Sequence, residues 1–185
     1  MCKFVTVICP ICYNGSYECL INKRKIEVER KTIQIDYQSC MIDDLDEKDK
    51  ELVLAAKEAT YTSYSPYSHF SVGAAVRLSN GEIVCGSNQE NAAFGAGTCA
   101  ERCTMFYANA RYPEEHICTI AVAARGVDGK FLKSPISPCG VCRQALVEAQ
   151  TRGKEPIRAL LYGEREIYVL KSISDLIPFQ FDEIK

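Results

Sequence analysis

The sequence predicts an α/β fold of three layers, with helices on both faces of a mixed central sheet of about five strands. Three observations carry this. Strand-like segments at 70–78 and 82–87 are joined at Asn80-Gly81, a strong hairpin turn. The run 117–124 is continuously apolar, as in a central strand buried on both faces. From residue 99 onward the pattern reads helix, strand, helix, strand, which calls for a mixed sheet.

In chain order, residues 1–24 stand apart. They carry Cys2, Cys9, Cys12 and Cys19, and Cys9-Pro10-Ile11-Cys12 resembles half of a zinc ribbon. No second Cys-x-x-Cys or His pair completes a knuckle, so the segment reads as an extension without fixed structure, a second, structural zinc being the alternative. The folded domain is expected over 25–185. Ile26, Val28, Ile33, Ile35 and Tyr37 alternate with polar residues and predict an edge strand or hairpin over 25–38. Asp43 and Asp44 precede a helix over 46–61, with Leu52, Ala55, Ala56 and Ala59 on its apolar side. Ser65-Pro66 ends it, and a polar, glycine-bearing loop spans 88–97. A second helix opens near Cys99, with Cys103, Phe106, Tyr107 and Ala110 at helical spacing. Ser137 as N-cap and Pro138 as first residue open a third helix, running to about Gln150. Strands at 157–162 and 166–170 and a short helix from 174–177 complete the chain.

Composition limits the functions available. A chain of 185 residues is long enough for one domain with a substantial core. The formal charge of −2 argues against a polynucleotide partner, which needs many Lys and Arg contacts, and favours a small molecule. The apolar run 4–8 is too short for a membrane span or a signal sequence. Eleven cysteines, an odd number, fit a reducing cytoplasm better than a disulfide framework.

The chemistry lies in two stretches that have to meet in space. Thr98-Cys99-Ala100-Glu101-Arg102 and Ser137-Pro138-Cys139-Gly140-Val141-Cys142-Arg143-Gln144 together offer three thiols and one carboxylate. Three soft ligands with a fourth position open suit a catalytic zinc, whereas a structural zinc is closed by four protein ligands. A carboxylate two positions from a ligand is placed to handle protons there. Residues two apart on a regular helix point to opposite sides, so Cys99 and Glu101 share a site only if Cys99 lies at or before the cap. Two helix N-termini are therefore expected to converge on one metal, where the helix dipole and free N–H groups favour thiolates. Cys103, one turn beyond Cys99, falls on the apolar stripe and reads as core.

Five blocks resemble the small, homotetrameric cytidine deaminases of pyrimidine salvage. They are Ser65-Pro66-Tyr67-Ser68-His69-Phe70-Ser71-Val72-Gly73-Ala74-Ala75, Asn88-Gln89-Glu90-Asn91-Ala92, Cys99-Ala100-Glu101-Arg102, Pro138-Cys139-Gly140-Val141-Cys142-Arg143-Gln144 and Leu176-Ile177-Pro178-Phe179-Gln180-Phe181. The resemblance runs from about 45 to 181 and implies zinc-dependent hydrolytic deamination of cytidine and deoxycytidine, with release of ammonia. It implies one Zn2+ per chain on Cys99, Cys139 and Cys142, with Glu101 as general acid and base. By the same resemblance Asn88 and Glu90 bond the ribose hydroxyls, Phe70 lines the base or sugar pocket, and Phe181 reaches a neighbouring subunit's site in a homotetramer. Arg102 is expected to hydrogen-bond the thiolates and offset their charge. Core packing is the alternative for Phe70 and for Phe181. Phe94 stands where the family often has an aromatic with a hydroxyl. Alternative functions are deamination of another aminopyrimidine nucleoside such as blasticidin S, or a zinc-stabilised, inactive scaffold.

Overall fold

The computed structural model describes residues 29–182. The chain divides into two units, Met1–Thr32 and Ile33–Lys185, and among the described residues all regular structure belongs to the second. The expectation for residues 1–24 lies outside the described residues.

Six strands form one sheet: β1 (Tyr37–Cys40), β2 (Ser71–Leu78), β3 (Ile83–Ser87), β4 (Ile117–Arg125), β5 (Arg158–Tyr162) and β6 (Ile167–Leu170). Their order is β1-β6-β5-β4-β2-β3, with β4 and β5 parallel and every other pair antiparallel. The helices are α1 (Glu47–Ala59), α2 (Ala100–Arg111) and α3 (Gly140–Gly153). The parallel pair is joined through α3, as a parallel crossover requires.

The layers follow from alternation along the strands. Ala74, Val76, Ile120, Val122, Ala159 and Leu161 share one core with Met105 and Ala108 of α2 and Leu146 and Val147 of α3. Their neighbours Ala75, Ala121, Ala123, Leu160 and Tyr162 share the other with Leu52, Val53 and Ala56 of α1. Two glycines set how closely the helices approach. A Cβ on Gly73 would lie 2.2 Å from the Ala56 carbonyl oxygen, and one on Gly86 would lie 2.6 Å from Thr104 Oγ1. At its start α1 is capped by Asp46, which accepts from the Asp49 N–H at 2.8 Å. Asp49 in turn accepts from both Arg158 guanidinium nitrogens at 3.1 and 2.6 Å, tying α1 to β5.

Four expectations change. The sheet has six strands where about five are expected, and the one contributed by the alternating N-terminal segment comes later than expected. That strand is β1; Ile33 and Ile35 lie outside it, half exposed, and Ile26 and Val28 lie outside the described residues. Its length is set by β6, whose four residues are all paired, Tyr37 with Leu170 through Cys40 with Ile167. The third helix starts at Gly140, with Cys139 rather than Ser137 as cap. The terminal helix is a 3-10 turn, Ile173–Leu176, and Pro178 disfavours helical backbone at Ile177.

The register fixes where a site can form. Ser71 pairs with Arg125 and Gly73 with Ser87, so the start of β2 lies beside the ends of β3 and β4. The segments before β2, after β3 and after β4 therefore leave the sheet at one edge, where ligands of open α/β sheets bind.

Candidate metal centre and active site

Each cysteine-bearing helix begins in the same way. Cys99 caps α2 with φ −68° and ψ 154°, and Cys139 caps α3 with φ −66° and ψ 165°; neither side chain caps its own helix. The thiols turn toward each other instead. Cys99 Sγ lies 3.9 Å from Cys139 Sγ, and Cys139 Sγ lies 3.5 Å from Cys142 Sγ. All three sulfurs fall within 4.8 Å of one another, and Cys103 is not among them. Thr104 holds the first turn of α2, its hydroxyl donating to the Ala100 carbonyl at 2.8 Å. Arg143 holds the turn before α3, donating to Pro138 O at 2.8 Å and to Ser137 Oγ at 3.0 Å. The Ser137 hydroxyl accepts from Arg143 and lies outside the helix, which begins at Gly140.

The trio suits zinc. Tetrahedral zinc with Zn–S bonds of about 2.3 Å places its sulfurs about 3.8 Å apart, close to two of the separations here. The thiols also resist a common ionisation state. The neighbouring Cys142 thiol, and then Arg102, hold Cys99 down to about 5 against the opposing effect of burial. Cys142 is raised by its bond to Cys99 and by burial. A divalent cation resolves the conflict by stabilising thiolate at every sulfur. Arg102 supplies charge beside the sulfurs, while its buried Nε has no hydrogen-bond partner among the described residues. Hydrogen bonding from its side chain to the Cys99 and Cys142 sulfurs comes first and its charge adds to this.

Glu101, the second residue of α2, is 4% exposed. Burial raises its pKa, and the Cys99 charge adds to this. A buried carboxyl that holds its proton more readily than usual is suited to moving protons near neutral pH.

A cavity of about 630 Å³ opens at this edge of the sheet. Asn88, Glu90, Cys99, Arg102 and Cys139 line it, joined by Tyr67, Ser68, Phe94, Thr98 and Val141. The two loop residues are already engaged. Asn88 Oδ1 accepts from the Val72 N–H at 2.8 Å, and Asn88 Nδ2 donates to the Phe70 carbonyl at 2.9 Å. Glu90 accepts from the Tyr67 and Ser68 N–H groups and the Ser68 hydroxyl. The Ser68 hydroxyl first, then the Tyr67 N–H, hold the Glu90 pKa below the ordinary carboxylate range.

Four expected residues lie outside this lining: Glu101 and Cys142, buried in the first turns of α2 and α3, and Phe70 and Phe181. The Phe70 side chain is not part of the lining, and this residue meets Asn88 through its carbonyl. Phe181 lines a second hollow, with Arg102, Phe106, Val141 and Gln144, and is 65% exposed. Sequence reasoning missed Tyr67, Ser68 and Val141. Tyr67 and Ser68 fall inside the 65–75 block, and their contact with Glu90, 22 or 23 positions away, leaves no periodic signal. Phe94 packs edge-on against Tyr67 at 6.1 Å, at the exposed side of the cavity.

Comparison with known proteins agrees with this geometry. The description "Cytidine and deoxycytidylate deaminase zinc-binding region" matches residues 46–154. Cytidine deaminase of Halalkalibacterium halodurans is 35% identical over 131 residues, 70% of this chain and 91% of that protein. Cytidine deaminase of Mycobacterium tuberculosis strain H37Rv is 39% identical over 93 residues, 50% of this chain and 65% of that protein. Among solved structures, cytidine deaminase from Burkholderia pseudomallei aligns with a TM-score of 0.61 at 36% identity, covering 71% of this chain and 97% of that one. That from Mycobacterium leprae aligns at 0.55 with 30% identity, covering 72% and 99%. The matched stretch holds both cysteine-capped helices and most of the cavity wall, and the chain belongs to the family of zinc-binding cytidine and deoxycytidylate deaminases.

Proposed function

We propose that the chain catalyses hydrolytic deamination of cytidine and deoxycytidine to uridine and deoxyuridine, with release of ammonia. The observation that carries this is Glu101, a buried carboxyl beside the Cys99 and Cys142 sulfurs in a turn whose cap opens on the cavity. Cys99, Cys139 and Cys142 would hold the zinc. Bound there, zinc supplies the Lewis acidity that makes water a usable nucleophile near neutral pH. Glu101 accepts the proton that water gives up and passes it to ring N3, then takes the second proton from the new C4 hydroxyl and delivers it to the departing amino group, so that a carbonyl is left and ammonia is released. Its raised pKa lets it both take and release that proton. Arg102 places positive charge beside three sulfurs that together exceed the charge of one divalent ion.

Asn88 and Glu90 orient the sugar through its hydroxyls, with Phe70 positioned through Asn88. A nucleoside is favoured over a nucleotide. The charged residues lining the cavity are Glu90 and Arg102, and Arg102 is drawn to the sulfurs, so a 5′-phosphate meets no free cation among the described residues. The catalytic domain is 25–185, with 1–24 a separate extension. It works as a homotetramer in which Phe181 reaches a neighbour's site, a reading supported by the exposure of Phe106, Val141 and Phe181 around one hollow. Among the described residues Cys40, Cys85, Cys103 and Cys118 are free thiols outside the metal trio, which suits a reducing, cytoplasmic setting, and the reaction is one of pyrimidine salvage. Among the described residues no helix is long and apolar enough to cross a membrane.

The test is loss of cytosine absorbance with zinc-loaded protein on cytidine, deoxycytidine and deoxycytidylate. Turnover of both nucleosides, with the nucleotide at least about tenfold poorer, is expected. No turnover of either nucleoside, or preference for the nucleotide, would contradict it.

A further inference from the structure

We propose that Ser68 is a positioning residue that aims one oxygen of Glu90 at the substrate sugar, an inference that rests on the sugar-binding role given to Glu90 above. A carboxylate has about four acceptor positions, two on each oxygen. Glu90 Oε2 takes the Tyr67 N–H at 2.9 Å and the Ser68 N–H at 3.2 Å, which fills it. Oε1 takes the Ser68 hydroxyl alone. One acceptor position therefore remains, on Oε1, and Ser68 decides where it points.

Ser68 is itself fixed. Its Oγ accepts the Phe70 N–H at 3.1 Å, so its own hydrogen is free to point at Glu90. The Glu90 backbone is held as well, its N–H donating to the Tyr64 carbonyl at 2.8 Å, while Gln89 and Thr98 exchange N–H bonds at 2.9 and 2.8 Å. Glu90 and Ser68 both line the cavity. A solvent-exposed glutamate would ordinarily have to be ordered when substrate binds, and here the 67–70 turn orders it beforehand. The ligand chemistry is a hydroxyl donor, since the one remaining position on Glu90 is an acceptor.

The experiment compares cytidine with 2′,3′-dideoxycytidine, which has no 2′- or 3′-hydroxyl to donate. Ser68→Ala should lower kcat/KM for cytidine by about five- to tenfold, mainly through KM, and for the dideoxynucleoside by no more than about twofold. Ser68→Thr, which keeps the hydroxyl, should recover most of the cytidine loss. Equal losses on both substrates would mean that Ser68 only supports the loop, and would overturn the proposal. So would a Ser68→Thr protein that melts like the parent yet behaves like Ser68→Ala. Glu90→Gln separates the two levels. If its loss is confined to cytidine while Ser68→Ala is silent, this inference alone fails. If Glu90→Gln affects both substrates alike, the sugar-binding role fails and takes this inference with it.

Discussion

The cavity has two walls built in opposite ways. One is formed by the starts of α2 and α3, where Cys99, Arg102 and Cys139 line the cavity while Cys142 of the same metal trio is fully buried and Glu101 is 4% exposed. The other is formed by the segments before β2 and after β3, where Glu90 and Ser68 are exposed or nearly so and side chains bond to backbone across the gap. At the first wall burial raises Glu101 and bonding among the thiols lowers Cys99; at the second, hydrogen bonds from Ser68 and Tyr67 come first in holding the Glu90 carboxylate ionised. Chemistry that depends on perturbed proton affinities needs the dry wall. Recognition of hydroxyls needs only fixed acceptors at a wet one.

Damage to the first wall should remove metal and rate, and damage to the second should weaken binding. The largest effect is expected from Cys142→Ala, which removes a buried ligand. Zinc measured on the purified protein should fall from about one per chain to near zero, with turnover lost and the melting temperature lowered. Full zinc retention by that variant would break the comparison. Arg102→Ala comes next, with zinc affinity or turnover reduced about ten- to hundredfold. Unchanged values for both would show that its charge does nothing for the sulfurs. Asn88→Ala should raise KM for cytidine about tenfold and also lower the melting temperature, because it leaves the Phe70 carbonyl and the Val72 N–H without their partner. A fall in kcat at constant KM would place Asn88 on the wrong wall. Asp49→Ala, remote from both walls, should act on stability alone. Asp49 is 6% exposed, but its partner Arg158 is 42% exposed at the side chain. A loss of about 1–2 kcal/mol, or a few degrees in melting temperature, is therefore expected.

The same division explains what the sequence made legible. The cysteine wall needs particular residue types at short spacing, so Cys99-Ala100-Glu101 and Cys139 to Cys142 could be read directly, including the requirement that Cys99 sit at the cap. The start of α3 lies two residues later than Ser137-Pro138 suggests, at Gly140, and the Ser137 hydroxyl is bonded to Arg143, six positions on. The loop wall was legible only as residue blocks. Nothing local to Ser68 points to Glu90, and nothing local to Asn88 shows its amide bridging Phe70 and Val72. The central strands announced themselves by apolar runs, whereas β1 takes its limits from the four residues of β6.

The most direct test of the proton-carrier role is turnover of cytidine by Glu101→Gln against the parent, with zinc content matched. A fall of about 10²–10⁴-fold in kcat, with KM little changed, is the predicted result. A Glu101→Gln protein that carries zinc and turns over cytidine at a rate near the parent's would contradict it.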